Sequence, residues 1–95
     1  MTLKDKIKQQ PFSVESSDVD SCKQYYLVLH NDDVNTFEHV IECLIKICRH
    51  DMVQAEQCAY ITHYNGKCEI KKGYYGELNY LKNLMHAKGL SVTLD

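Results

Sequence analysis

The chain has 95 residues, 44% hydrophobic and 25% charged, with a net charge of −2 and a mean hydropathy of −0.41. That suffices for one domain with one modest core, and it excludes a nucleic-acid surface built on excess positive charge. No apolar run approaches the ~20 residues of a membrane span, and the N-terminus lacks the apolar core of a secretory signal.

Residues 1–23 read as a mobile tail. Lys4, Lys6 and Lys8 lead it, Pro11 interrupts it, and Ser13 to Ser21 carries too little apolar surface to pack. The folded domain is expected over residues 24–95. Its first element is a strand, Gln24 to His30, rich in Tyr, Leu and Val. Asn31-Asp32-Asp33 stops it, because these side chains bond to their own backbone and favour turns. Asn35 or Thr36 then caps a helix running to Arg49, with Phe37, Val40, Ile41, Leu44, Ile45 and Cys48 on one apolar stripe. His50-Asp51 is the expected break. Asp51 caps a second helix, Met52 to Tyr64, with Ala55, Cys58, Ala59 and Thr62 on one side. Gly66 closes that helix by supplying a left-handed residue. Lys67 to Lys72 reads as a polar edge strand with Cys68 and Ile70 on one face. Gly73 marks a turn before a third helix, Gly76 to Lys88, expected to bury Leu78, Leu81, Leu84 and Met85. Gly89 ends that helix, and Leu90 to Leu94 alternates as a final strand. The order β-α-α-β-α-β predicts an α+β fold.

The five cysteines, Cys22, Cys43, Cys48, Cys58 and Cys68, are odd in number and form no CxxC. This points away from a disulfide framework and toward a reducing, cytoplasmic setting.

The acceptors at the end of the first strand suit one small cationic group. A free α-amino group, with an ordinary pKa of about 7.7–8.0, is largely protonated at neutral pH and offers three donors with one charge. It calls for an anion, neutral acceptors and no competing cation. Residues two apart in an extended stretch point the same way, so Asn31 and Asp33 can converge while Asp32 faces elsewhere. His63, at the end of the second helix, adds a neutral acceptor. The same residues serve equally as a strand end, a turn and a helix cap, with His63 satisfying terminal carbonyls.

The series YLVLHNDD, VNTFEHVIECL and AYITHYNGK resembles the ClpS family, small bacterial and plastid adaptors that recognise N-terminal degradation signals. The resemblance spans Gln24 to Leu94 and rests on Asn31-Asp32-Asp33 after a strand, followed by His63-Tyr64-x-Gly66-Lys67 after two helices. It implies three helices packed on a small three-stranded antiparallel sheet. It also implies that Asn31, Asp33 and His63 hold a substrate's α-amino group, and that Asp32 bonds the substrate backbone or orders the turn. The pocket for the first side chain maps onto Asn35, Phe37, Val40, Ala59, Thr62 and Leu90. The protease-docking surface falls between Lys71 and Gly89, with Glu77 and Lys82 as candidates. The resemblance implies no enzymatic activity and no cofactor. The partners it implies are N-degron proteins and a Clp-family AAA+ unfoldase of ClpA or ClpC type with its peptidase. The protein is expected to be a monomer, with no nucleic-acid or membrane partner.

Three departures from the family pattern stand out. Val34-Asn35-Thr36-Phe37 stands where Tyr-Thr-Pro-Met is usual, Ala59 where Met is common, and Thr62 where Val is common. These changes leave the amine site matched and alter the side-chain pocket. Three other readings compete. A metal site could draw on the histidines and cysteines, but close ligand pairs are lacking. An enzyme could pair Asp33 with His63, using Cys58 or Cys68 as nucleophile, but no oxyanion hole, phosphate loop or nucleophile elbow is marked. A plain interaction scaffold would lack amine recognition altogether.

Overall fold

Alternation along the first apolar run places Leu27 and Leu29 on one face, where both are buried in the main core. A computed structural model describes residues 23–95; the expected tail, apart from Lys23, lies outside the described residues. The elements are β1 (Gln24–His30), α1 (Phe37–Lys46), α2 (Met52–Asn65), β2 (Lys67–Tyr74), α3 (Tyr75–Ala87) and β3 (Ser91–Leu94). The three strands form one antiparallel sheet in the order β2-β1-β3, so β2 is an edge strand, as its polar sequence suggested. Leu44 and Cys48 near the end of α1, Ala55 and Cys58 of α2, Leu78 and Met85 of α3 and Leu90 and Val92 close over the sheet. The α+β architecture is the one expected.

Local chemistry sets the helix ends. The Thr36 hydroxyl accepts from the His39 N–H at 3.1 Å, and the Asp51 carboxylate accepts from the Gln54 N–H at 2.8 Å. Gly66, at φ 92°, closes α2 with its N–H on the Thr62 carbonyl at 2.9 Å. The buried side of α2 is Ala55, Cys58, Ala59 and Thr62, all small, so the helix can lie close to its neighbours.

Four expectations are corrected. First, α1 stops at Lys46 rather than Arg49. Arg49 takes a left-handed conformation, φ 64°, and the N–H groups of Cys48 and His50 both turn back to the Leu44 carbonyl at 3.2 Å. This turn carries Cys48 and His50 inward, leaving them 1% and 6% exposed. Second, His50 is not merely a breaker. The β1–β2 register slips by one residue between Leu27 and Val28, pairing Leu27 with Lys71 and Val28 with Glu69, so Ile70 is a bulge. Its carbonyl accepts the Nε2–H of His50 at 2.8 Å. Third, Gly73 lies within β2 and is buried rather than forming a turn. A Cβ there would come within 2.9 Å of Glu77 Oε1, the free end of a flexible side chain that can move aside. Fourth, Leu84 is exposed. Leu78 and Met85 fill the core beneath α3, with Leu81 partly buried.

Candidate functional site

The end of β1, the turn after it, the start of α1, the last turns of α2 and the link from α3 to β3 meet around one cleft of about 290 Å³. Leu29, His30, Asn31, Asp32, Asp33, Asn35, Phe37, Val40, Ala59, Thr62, His63 and Leu90 line it. Every residue assigned from the sequence to the amine site or the side-chain pocket is therefore brought to one place. Glu77 and Lys82 lie on α3 and do not line the cleft. Leu29 and His30 are additions. Their signal was only that they immediately precede Asn31 on a strand ending at the site.

Asp32 organises the turn. One carboxylate oxygen accepts from the backbone N–H groups of Val34 and Asn35, both at 2.9 Å, and the other accepts from the Asn35 side-chain amide at 2.9 Å. Burial pushes this carboxyl up. The hydrogen bonds from Asn35 and Val34 together outweigh that and hold it below its ordinary 3.8. The Asn35 amide also donates to the Gly89 carbonyl at 2.9 Å, and His39 Nε2–H donates to the Lys88 carbonyl at 2.9 Å. These two bonds clamp the start of α1 to the link preceding Leu90. Across the cleft, the Asn31 N–H donates to the Gly66 carbonyl at 2.9 Å, joining the end of β1 to the end of α2.

The walls are apolar where it matters. Ala59 and Leu90 are each 3% exposed, and Val40 is partly buried. Thr62 turns its methyl group to account, because its hydroxyl is satisfied by donating to the Cys58 carbonyl of its own helix at 2.7 Å. Phe37 stands at the mouth, its ring 5.2 Å from Tyr60 and 5.3 Å from His63.

The polar groups thus divide in two. Asp32, Asn35, His30 and Thr62 are engaged within the protein, His30 through Thr93 Oγ1 at 2.7 Å. Among the described residues, no side-chain hydrogen bond engages Asn31, Asp33 or His63, and all three are exposed at the rim. The arrangement offers a carboxylate, an amide and an imidazole to a ligand, beside a small apolar cavity.

The thiols are poorly suited to nucleophilic chemistry. Burial, aided by the neighbouring Cys68, pushes Cys58 up to about 12, and burial raises Cys48 to about 11. Cys68 is raised by burial as well. The four described cysteines are free. Among the described residues no group of three or more His, Cys, Asp or Glu is disposed to hold a metal ion, and no helix is long and apolar enough to cross a membrane.

Fold and cleft together define a small α+β domain with an apolar cleft rimmed by a carboxylate, an amide and an imidazole. The family model for ATP-dependent Clp protease adaptor protein ClpS matches residues 20–93, and the chain belongs to that family. The Clp adapter ClpS of Campylobacter jejuni strain 81-176 is 35% identical over 54 residues, covering 57% of this chain and 56% of that protein. The Clostridium acetobutylicum protein of the same name is 38% identical over 48 residues, covering 50% and 48%. These alignments span about half the length of each relative. Agrobacterium tumefaciens ClpS2, solved bound to L-phenylalaninamide, shares the fold with a TM-score of 0.68 at 20% identity, over 77% of this chain and 95% of that one.

Proposed function

We propose that this protein binds the free α-amino group and large apolar first side chain of N-degron proteins and delivers them to a Clp AAA+ unfoldase, of ClpA or ClpC type, with its peptidase. In this reading it acts as a cytoplasmic monomer and performs no catalysis. The observation that carries the reading is the division of polar groups around the cleft. Among the described residues, Asn31, Asp33 and His63 make no side-chain hydrogen bond at its rim, while their neighbours are satisfied internally. An ammonium group placed among the three gains a charge-assisted bond to Asp33 and neutral acceptors from Asn31 and His63. Its side chain then enters the space between Val40, Ala59, Thr62 and Leu90. Phenylalaninamide, the ligand of the Agrobacterium protein, carries the same two features, a free amine and an apolar side chain. Glu77 and Lys82 on α3, away from the cleft, are proposed as contacts to the unfoldase. A delivery role for the tail concerns residues outside those described.

The test compares one Leu-starting peptide with a free and an acetylated N-terminus by fluorescence anisotropy. Acetylation removes the charge and two donors, leaving Asp33 unpaired. A cost of ~2–5 kcal/mol corresponds to a loss of about 30-fold or more in affinity. Affinity for the free peptide should also fall as pH rises through the amine's range near about 8. Equal binding of the two peptides rejects amine recognition.

A further inference from the structure

The rim beside His63 is built from more aromatic surface than the cleft itself requires. Phe37 touches both His63 and Tyr60, with ring centroids 5.3 and 5.2 Å apart. His63 meets Tyr64 edge-on at 4.9 Å, and Tyr64 lies parallel to Tyr60 within 6° at 6.1 Å. The four rings form one connected group leading from the mouth of the cleft along α2. Tyr60 and Tyr64 are 54% and 74% exposed and do not line the cleft. They contribute nothing to the buried side of α2, which is Ala55, Cys58, Ala59 and Thr62. Folding does not call for them.

Side chains alternate along an extended peptide. With the amine at Asn31, Asp33 and His63 and the first side chain in the cleft, the second side chain is directed outward past the mouth. There Phe37 and Tyr60 continue the surface that Phe37 and His63 begin. We infer that Phe37, Tyr60 and Tyr64 form a second subsite, which takes an aromatic side chain at the second position of the bound N-terminus. Tyr60 supplies the contacting ring, Phe37 joins it to the first pocket, and Tyr64 backs it. The inference rests on the amine-binding reading above.

The test measures affinities of Leu-Phe and Leu-Gly peptides, otherwise identical and with free N-termini, on the wild type and on Tyr60→Ala and Tyr60→Phe. An aromatic pair beyond simple burial is worth about twofold to tenfold in affinity. Leu-Phe is therefore expected to bind about fivefold tighter than Leu-Gly in the wild type. The ratio is expected to fall to about 1 in Tyr60→Ala and to persist in Tyr60→Phe. Because Tyr60 is exposed, binding of Leu-Gly also reports that each variant is folded. A wild-type ratio near about 1, or one that Tyr60→Ala leaves unchanged, overturns the subsite. Equal binding of free and acetylated Leu-Gly instead overturns the amine reading, and the subsite with it.

Discussion

In the proposed reading, Ala59 sets how much room the first side chain has close to its own backbone. It sits in the cleft wall, 3% exposed, and carries a single methyl. Ile and Val branch at Cβ and need width there. N-terminal Ile and Val are therefore expected to bind measurably beside Leu and Phe. Ala59→Met is expected to raise the Leu-over-Ile preference about tenfold in competition binding, and an unchanged ratio removes Ala59 as the determinant. Asp32 acts one step further back. Its carboxylate holds three donors of the turn, so Asp32→Ala is expected to cost about 1–2 kcal/mol in urea unfolding near pH 7. Its folded pKa lies below the ordinary 3.8. The contribution is therefore full above the unfolded value and is lost as pH falls through the folded one. The gap between variant and wild type is expected to narrow as pH falls through the folded value, whereas a gap independent of pH points to packing rather than charge.

At the scale of elements, the turn from α1 to α2 carries the one non-glycine residue with positive φ among those described, Arg49 at 64°. A left-handed residue with a Cβ costs about 1–2 kcal/mol, partly offset by the greater freedom a glycine has when unfolded. Arg49→Gly is expected to stabilise the domain by about 0.5–1 kcal/mol in chemical denaturation, and a loss of stability refutes the strain. This turn also marks where the sequence stopped being legible. Thr36, Asp51, Gly66 and Gly89 act within a few residues of themselves, through caps and a left-handed φ, and their elements fall where local chemistry puts them. His50 answers to a distant partner. The left-handed Arg49 lets Cys48 and His50 turn inward, and His50 satisfies the carbonyl freed by the Ile70 bulge. Nothing within a window around those residues announces such contacts. The side-chain pocket was placed only by the family resemblance, whereas the polar rim was legible for the opposite reason. Asn31, Asp33 and His63 cluster next to element ends that caps and turn residues make visible. What escaped were the tertiary bonds from Asn35 and His39 to residues 89 and 88, and the ring-to-ring contacts at the rim.

For the molecule as a whole, the cleft belongs to no single segment. Asn31 reaches Gly66, Asn35 reaches Gly89 and His39 reaches Lys88, so the walls come from stretches far apart in the chain and are tied by bonds that exist only in the assembled domain. A ligand held by this cleft has no counterpart site on the unfolded chain. Binding then draws the folding equilibrium toward the native state by mass action, about 2.7 kcal/mol at a ligand concentration a hundredfold above Kd. Leucinamide is accordingly expected to raise the melting temperature by several degrees, and N-acetyl-leucinamide to leave it unchanged, in differential scanning fluorimetry. A shift of equal size with both compounds counts against amine recognition. The three ties make the cleft a gauge of chain integrity. A copy that loses any one of the three loses the tie between two walls of the cleft, so an occupied cleft reports that all of its distant segments are in place.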